Sequence, residues 1–346
     1  MGETHQLTLQ AVFDLSEAAL IGAGASALQA AAAARSIEGA EADGIRSVGL
    51  AYLPIYCAHV ACGKVNGRAE PTWRQSRPAA LIVDAANGFA HTAFEHALDP
   101  FADLAKRQGL AALAIIESSS AGVVAWFVER LAARNLIGLG FANSSPLMAP
   151  HGGSKPFFGT NPLAFAVPRP DQPALVVDQA TSQVAYVTVK TAAENGEKIP
   201  LGWGLDRDGQ PTTDPQAVLD GGSMAPSGGH KGMALALLVD VLAGGLAGPH
   251  FAYQASAFGN NDGGPPRVGQ FFIAIDAGTF APTDRLGADL ASRIEALLAA
   301  MTEQEGVRIP GENRLAHRQH AAVHGVDVPV DLLSTIRGFA DRQQAN

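Results

Sequence analysis

Charge is scarce in this chain, and positive charge is the scarcer kind. Of 346 residues, 24 are Lys or Arg and 33 are Asp or Glu, a formal net charge of −9. Nucleic-acid affinity rests on a basic face that neutralises phosphates. The balance therefore excludes a general nucleic-acid binder and leaves room only for a local anion pocket. Cysteine is scarcer still, with Cys57 and Cys62 alone. Five residues apart, they fall on different faces of a helix, so neither a zinc site nor a disulfide is expected and both read as reduced thiols. Long apolar runs are missing too. The most apolar stretch, residues 233–247, contains Asp240 and is too short to cross a bilayer. Residues 1–10 hold neither a basic segment nor an apolar core, so no signal peptide is read there. The expectation is a soluble, cytoplasmic protein. No Gly-x-Ser-x-Gly elbow occurs, which leaves a hydrolase of that kind without support.

What is present is apolar and periodic. Hydrophobic residues make up 47% of the chain, which suits a globular protein of one large or two smaller domains. Residues 8–42 predict two helices, with Gly24-Ala25-Ser26 supplying a glycine stop and a serine N-cap between them. A turn follows at 44–49, and Pro54 is expected to interrupt any helix over 50–60. From residue 80 strands are predicted at 80–84, 111–116 and 136–141, with helices at 89–107 and 123–133 between them. Two short apolar runs follow, at 163–167 and 174–177. Residues 200–228 form a Gly/Pro/Asp-rich excursion without periodicity, the kind that often serves as a lid or binding segment. Beyond it come a buried helix at 233–246 and a strand at 270–275. A helix from Asp284 carries Leu286, Leu290, Ile294, Leu297 and Met301 on one face, and a last helix spans 330–344. The class is mixed α/β, a mixed sheet flanked by helices.

Two patterns mimic chemistry. Gly22-x-Gly24-x-x-Ala27 matches a loose dinucleotide fingerprint, but a helical pattern precedes it where a Rossmann turn needs a strand. It reads as a helix break. His317, His320 and His324 share a helical face, yet without a carboxylate beside them they read as a solvated surface, and no metal site is expected. His151-Gly152-Gly153 reads as a turn. Four segments carry more. Gly228-Gly229-His230-Lys231-Gly232 leads small residues into a helix start, where free N–H groups, the helix dipole and Lys231 favour an anion. Phe158-Gly159-Thr160-Asn161-Pro162, Asp178-Gln179-Ala180-Thr181-Ser182 and Arg308-Ile309-Pro310-Gly311-Glu312-Asn313-Arg314 add hydroxyls, an amide and cations. Together they suit a large phosphorylated cofactor.

On these segments the chain resembles the malate/L-lactate dehydrogenase-like oxidoreductases. That group includes ureidoglycolate and sulfolactate dehydrogenases and the Δ1-piperideine-2-carboxylate/Δ1-pyrroline-2-carboxylate reductases. The resemblance spans nearly the whole chain. Residues 63–71, Gly-Lys-Val-Asn-Gly-Arg-Ala-Glu-Pro, and 204–209, Gly-Leu-Asp-Arg-Asp-Gly, resemble the imino-acid reductase branch most. It implies a non-Rossmann nicotinamide-binding fold and a homodimer. Residues 1–78 with 282–346 would form a helical, dimerising part, and 79–281 a cofactor-binding and catalytic part with a long loop at 200–228. It also implies hydride transfer from NADPH, with NADH as the other candidate, to a small 2-oxo or 2-imino acid. Cofactor contacts would come from Ser120, Ala121, Gly122, Val123 and Val124; from Asp178, Gln179 and Ala180; from His230 and Lys231; and from Arg308, Gly311 and Arg314. Thr160 would lie near nicotinamide and substrate.

The substrate half departs from the family pattern. Members usually carry Ser-His-Gly after the second helix and an Arg downstream: the His donates a proton, the Ser orients it and the Arg grips a carboxylate. Here the turn is Ser47-Val48-Gly49, and Tyr52 stands at the Arg position. Residues 118–120 are all serine where many members have a histidine, and Tyr186, Val187 and Thr188 replace an expected polar or charged group. Ser47, Tyr52 and Thr160 remain as catalytic candidates, with Val48, Tyr186, Val187 and Thr188 as pocket lining. Ketone reduction creates an alkoxide that needs a general acid, whereas reduction of a protonated imine gives a neutral amine directly. Losing the histidine therefore weakens a keto-acid enzyme more than an imine reductase. Three readings follow: an imine or imino-acid reductase; a 2-hydroxy-acid dehydrogenase that uses Tyr52 or His151 as donor; and a cofactor binder that has lost activity.

Overall fold

The structure is a computed structural model that describes residues 3–280 and 289–342. Strand β1 (Thr4–Leu7) leads into helices α1 (Leu9–Gly22) and α2 (Ala27–Ala42). Thr8 and Ser26 cap them, each accepting the N–H three residues on, as the polar-then-apolar sequence predicts. The Gly22–Ala27 pattern is therefore a helix–helix junction and not a nucleotide turn. Helix α3 (Leu53–Ala61) corrects the expectation for Pro54, which lies in the first helical turn where its missing N–H has no partner to lose. Cys57 is buried on this helix and Cys62 is exposed just beyond it.

Strands β2 (Thr72–Arg77) and β3 (Ala80–Asp84) form a hairpin. Helix α4 (Ala90–Gln108) then crosses to β4 (Leu110–Ser118), which pairs parallel with β3. Helix α5 (Ala125–Ala132), β5 (Ile137–Ala142), β6 (Leu163–Arg169) and β7 (Gln172–Gln179) follow. Helix α6 (Tyr186–Glu194) comes next. The unpatterned excursion then contains three two-residue strands, β8 (Gly204–Leu205), β9 (Pro211–Thr212) and β10 (Ser223–Met224), with helix α7 (Pro215–Leu219) between the last two. Such short strands leave no periodicity to read. Helix α8 (His230–Val239) continues as a π-helical stretch, Asp240–Leu246, before β11 (Val268–Ile275).

The main sheet has the order β2-β3-β4-β11-β5-β6-β7, and β3–β4 is its one parallel pair. Among the described residues its βαβ unit is β3–α4–β4, and the turn entering that helix, Ala85-Ala86-Asn87-Gly88-Phe89, lacks the Gly-x-Gly-x-x-Gly spacing of a Rossmann turn. Period-two alternation divides β11 between two cores. Phe272 and Ala274 join Leu81, Leu113, Phe94 and Phe127 under α4 and α5, while Phe271 and Ile273 face Val239 and Ala243. A separate core joins both ends of the chain, with Val12, Leu20, Leu53 and Tyr56 against Val328, Leu333 and Ile336. Strand β12 (Val326–Pro329) pairs with β1 there. Strand β2 comes from residues assigned to the helical part yet forms one edge of the sheet.

Two helical expectations change. Residues 233–246 were expected to be buried, but Leu237, Leu238, Val241 and Leu246 are exposed and only the face with Ala236, Val239 and Ala243 is covered. Composition cannot tell a fully buried helix from one with a free apolar face. In the helix Leu290–Thr302, Leu298 is buried and Leu297 exposed, so the face turns by one residue; Leu286 lies outside the described residues. The last helix is described over Val330–Ala340.

Candidate active site

Thr181, just beyond β7, joins three of the four segments. Its N–H and its hydroxyl both donate to the carbonyl of Thr160 at 2.9 Å, and its own carbonyl accepts the N–H of Ser227 at 2.9 Å. The Gly228–Gly232 turn is thereby fixed beside Thr160. Gly228 and Gly229 have φ of +60° and +66°, which side chains resist, and nothing would touch a Cβ on Gly228. Gly232 is the opposite case. A Cβ there would lie 2.6 Å from the Ser227 nitrogen and 2.9 Å from the Thr181 carbonyl oxygen. Helix α8 begins at this turn with no side-chain cap, so its first N–H groups face outward with no carbonyl one turn back. His230 and Lys231 are exposed beside them, and the His151 ring lies 6.2 Å from that of His230.

The loop from β4 to α5 forms the next wall. Gly122 has φ of +61°, and its N–H donates to Ser120 Oγ at 3.3 Å. Ala121, Val123 and Val124 turn their side chains into the core, so they offer the groove backbone only. His91 supports this loop from beneath: its Nε2 meets the Ala121 carbonyl at 3.1 Å, its ring stacks on Phe127, and burial pushes it down to about 3, so it stays neutral. Asp178, at the end of β7, accepts the N–H of Ala125 at 2.8 Å and so caps α5. Solvent reaches Asp178, yet surrounding protein raises its carboxyl to about 6, with the N–H groups of Ala125 and Val124 pulling it back.

Gln179 is exposed and Ala180 half-buried on the same strand end. Gly311 has φ of +90°, and a Cβ there would lie 3.1 Å from the Val176 carbonyl on β7, which brings the 308–314 segment alongside. The two arginines of that segment differ. Arg314 donates to Glu129 at 2.8 Å and lies 3.6 Å from Asp43, so its charge is matched. Arg308 is exposed, among the described residues donates only to the Asn313 amide oxygen at 3.1 Å, and lines a hollow of about 400 Å³ with Ile309, Pro310 and Glu312. A cradle of positive-φ glycines, an uncapped helix start, Lys231 and Arg308 make a donor set that fits a phosphorylated dinucleotide.

The substrate side is drier. Ser47 and Val48 lie half-buried in a 3-10 turn, Arg46–Val48, and Val48 packs on the main core. The buried carboxylate of Glu41 holds this turn by accepting the Leu50 N–H at 2.7 Å. Tyr52 donates to the carbonyl of Phe258 at 3.3 Å and meets Tyr56 edge-on at 4.8 Å. Burial pushes the Tyr52 phenol up to about 12, so it is a donor and not a base at neutral pH. Tyr56 reaches the loop between β4 and α5, where a Cβ built on Gly122 would lie 3.3 Å from its hydroxyl oxygen. No hydrogen bond joins Ser47, Val48, Tyr52 and Thr160 to one another. Tyr186, Val187 and Thr188 form the exposed first turn of α6. Val187 and Thr188 line a separate hollow of about 360 Å³ with Lys198 and Trp203. Glu41, His91 and Phe258 were not foreseen; each is a single residue whose place only the fold assigns.

Asp178 gives a pH prediction. Its folded carboxyl is raised above the ordinary 3.8, so the protonated form is favoured by folding, and this contribution to stability is lost as pH rises from about 4 through about 6. Asp178→Asn keeps an oxygen for Ala125 and removes the charge. Its unfolding midpoint is expected to exceed that of the parent at pH 8, with the gap closing near pH 4. A gap independent of pH would contradict the assignment. The same charge is expected to weaken NADH binding across that window, and the asparagine variant is expected to bind evenly.

Residues 7–337 match the family model described as malate/L-lactate dehydrogenase. The chain is 40% identical over 337 residues to a (2R)-3-sulfolactate dehydrogenase (NADP(+)) of Chromohalobacter salexigens, covering 97% of this chain and 98% of that one. It is also 40% identical to a Δ1-pyrroline-2-carboxylate reductase of Ancylobacter novellus, covering 99% of each. Among solved structures, the Δ1-piperideine-2-carboxylate reductase of Pseudomonas syringae superposes with a TM-score of 0.90 at 35% identity, over 97% of this chain and 100% of that one. No helix among the described residues is long and apolar enough to cross a membrane.

Proposed function

Because this oxidoreductase belongs to the malate/L-lactate dehydrogenase family, we propose that it reduces the C=N bond of a cyclic imino acid, of the Δ1-pyrroline-2-carboxylate or Δ1-piperideine-2-carboxylate class, with NADPH. The observation that carries this reading is Val48. The turn that should present a proton donor holds a valine instead, while the cofactor segments are intact. Relatives that reduce Δ1-pyrroline-2-carboxylate support the same chemistry.

A bound NADPH supplies the hydride. Gly228, Gly229 and the first N–H groups of α8, with His230 and Lys231, would hold its phosphates. Ser120–Val124 and Asp178–Ala180 would border its other half, with Arg308 facing a 2′-phosphate and Gly311 letting that segment lie close to β7. Arg314, matched by Glu129, acts as support. Thr160 and Ser47 offer hydroxyls to the substrate. Tyr52 stays protonated, and its one hydroxyl hydrogen, held by the Phe258 carbonyl at 3.3 Å, would have to turn from that carbonyl to meet the carboxylate, a weaker grip than a bidentate guanidinium. A protonated imine accepts hydride and leaves as a neutral amine, so no side chain must give up a proton in that step. A homodimer belongs to the same reading, in which a second copy covers the exposed Leu237, Leu238, Val241 and Leu246 beside Phe251 and Tyr253.

Following NADPH absorbance with the two imino acids, pyruvate and 3-sulfopyruvate tests the assignment, and turnover of a 2-oxo acid far above both imines would overturn it. A 2-hydroxy-acid dehydrogenase is the alternative. It is favoured by His151, an exposed imidazole at the Gly229 turn, and by the sulfolactate dehydrogenase relative. In that case His151→Ala abolishes the 2-oxo acid activity. Arg308→Ala is expected to raise the KM for NADPH about tenfold and leave that for NADH unchanged, the loss expected for one charge-assisted contact. Equal changes for both cofactors would remove Arg308 from the 2′-phosphate.

A further inference from the structure

Five of the six lysines, Lys106, Lys155, Lys190, Lys198 and Lys231, are exposed; the sixth, Lys64, is 1% exposed. Its neighbours Gly63 and Asn66 are at the surface, and what covers Lys64 is the segment Ala257–Asp262, itself exposed at every residue but Phe258. The ammonium donates to the carbonyls of Ala257 at 2.6 Å, Asn260 at 3.0 Å and Asp262 at 2.6 Å. Three hydrogens meet three carbonyls, so every donor is used. An ammonium taken out of water is costly unless its hydrogens are bonded, and here three carbonyl dipoles compensate, with the Asp262 carboxylate adding a longer-range attraction. Side chains of α3 and its N-cap hold the same loop. His59 Nε2 meets the Asn260 carbonyl at 2.9 Å, and Tyr52 donates to that of Phe258. From the other side, Ser145 Oγ accepts the Phe258 N–H at 3.4 Å.

We propose that Lys64 is a positioning residue, an internal cation around which Ala257–Asp262 closes to form the outer wall of the substrate pocket. Through Phe258 the loop fixes the Tyr52 phenol, and through Tyr52 and Tyr56 it abuts Gly122 in the loop between β4 and α5. Lys64 touches neither substrate nor cofactor. It sets where the wall stands, and opening the loop uncovers its ammonium. The identity of the substrate rests on the function proposed above; the grip itself does not.

The test is Lys64→Met, which keeps length and removes charge. Its KM for Δ1-pyrroline-2-carboxylate is expected to rise about tenfold, with the KM for NADPH and kcat changed less than about threefold. Deuterium uptake is expected to quicken over Ser256–Gly264 and stay unchanged over α6 and α8. In Lys64→Ala, added propylammonium is expected to refill the carbonyl cage and lower the imine KM toward that of the parent. Unchanged loop exchange, an equal rise in the KM for NADPH, or no response to propylammonium would each overturn the proposal. Should neither variant fold, acetylation of the unaltered enzyme decides it. Lys64 is expected to react at least about 100-fold more slowly than the other five lysines, and more slowly again with pyrrole-2-carboxylate bound; equal rates overturn it. If the unaltered enzyme reduces neither imino acid, the functional assignment fails, while loop exchange and acetylation still decide the role of Lys64.

Discussion

Replacing Val48 with histidine is expected to raise kcat/KM for a 2-oxo acid by about 100-fold and to change imine reduction by less than about threefold, because a placed general acid contributes about 10²–10⁴-fold to steps that need one. The asymmetry is the informative part. Ketone reduction builds negative charge on oxygen, which a neutral side chain at position 48 cannot relieve, whereas a protonated imine loses its charge as it is reduced. Position 48 is suited to the exchange. It ends a 3-10 turn held by Glu41 through the Leu50 N–H, it is half-buried, and Ser47 lies next to it. Lost packing of the valine against the main core costs about 1 kcal/mol, as a typical substitution does. Steady-state rates on pyruvate and on Δ1-pyrroline-2-carboxylate measure both effects. A variant that gains nothing on pyruvate would mean that another group, His151 foremost, already donates the proton.

Gly232→Val is expected to weaken NADPH binding by more than about 100-fold, a loss of roughly 2.7 kcal/mol. The side chain would start against the Ser227 nitrogen and the Thr181 carbonyl, both backbone, so the turn must move and cannot merely re-pack. That movement pulls Ser227 away from Thr181, and Thr181 is what holds the turn to Thr160. Gly228→Ala is the control. It meets open space and is strained only by its φ of +60°, a cost of about 1–2 kcal/mol. Titrating NADPH fluorescence ranks the two, and a Gly228 variant worse than the Gly232 variant would contradict the account of the cradle.

Much of this was legible in residue order. The helix pair broken at Gly24–Ser26, the strands at 80–84 and 163–167 and the glycine turn before α8 all follow from caps, alternation and positive φ, which are local properties. The segments proposed to hold the cofactor were legible for the same reason, since each is a short run that would bind through its backbone. Other features were not local. Strands β8–β10 are two residues long, so no period can reveal them. The free apolar face of α8 has the composition of a buried helix, and only its packing separates Leu237 from Val239. Lys64 was read as one letter in a resembling segment; its burial depends on a loop almost 200 residues later. Arg314 and Arg308 looked alike in sequence, and only the approach of Glu129 and Asp43 tells the ion-paired arginine from the one that has no carboxylate partner among the described residues. Substrate pockets are built from such distant meetings, and this is why the altered half of the site needed the fold.

The most direct test of the central claim is a competition in one vessel. Equal concentrations of Δ1-pyrroline-2-carboxylate and 3-sulfopyruvate would be offered to the unaltered enzyme with limiting NADPH, and the products counted by NMR. The account predicts that proline takes nearly all of the reducing equivalents, and a product that is mostly sulfolactate would contradict it.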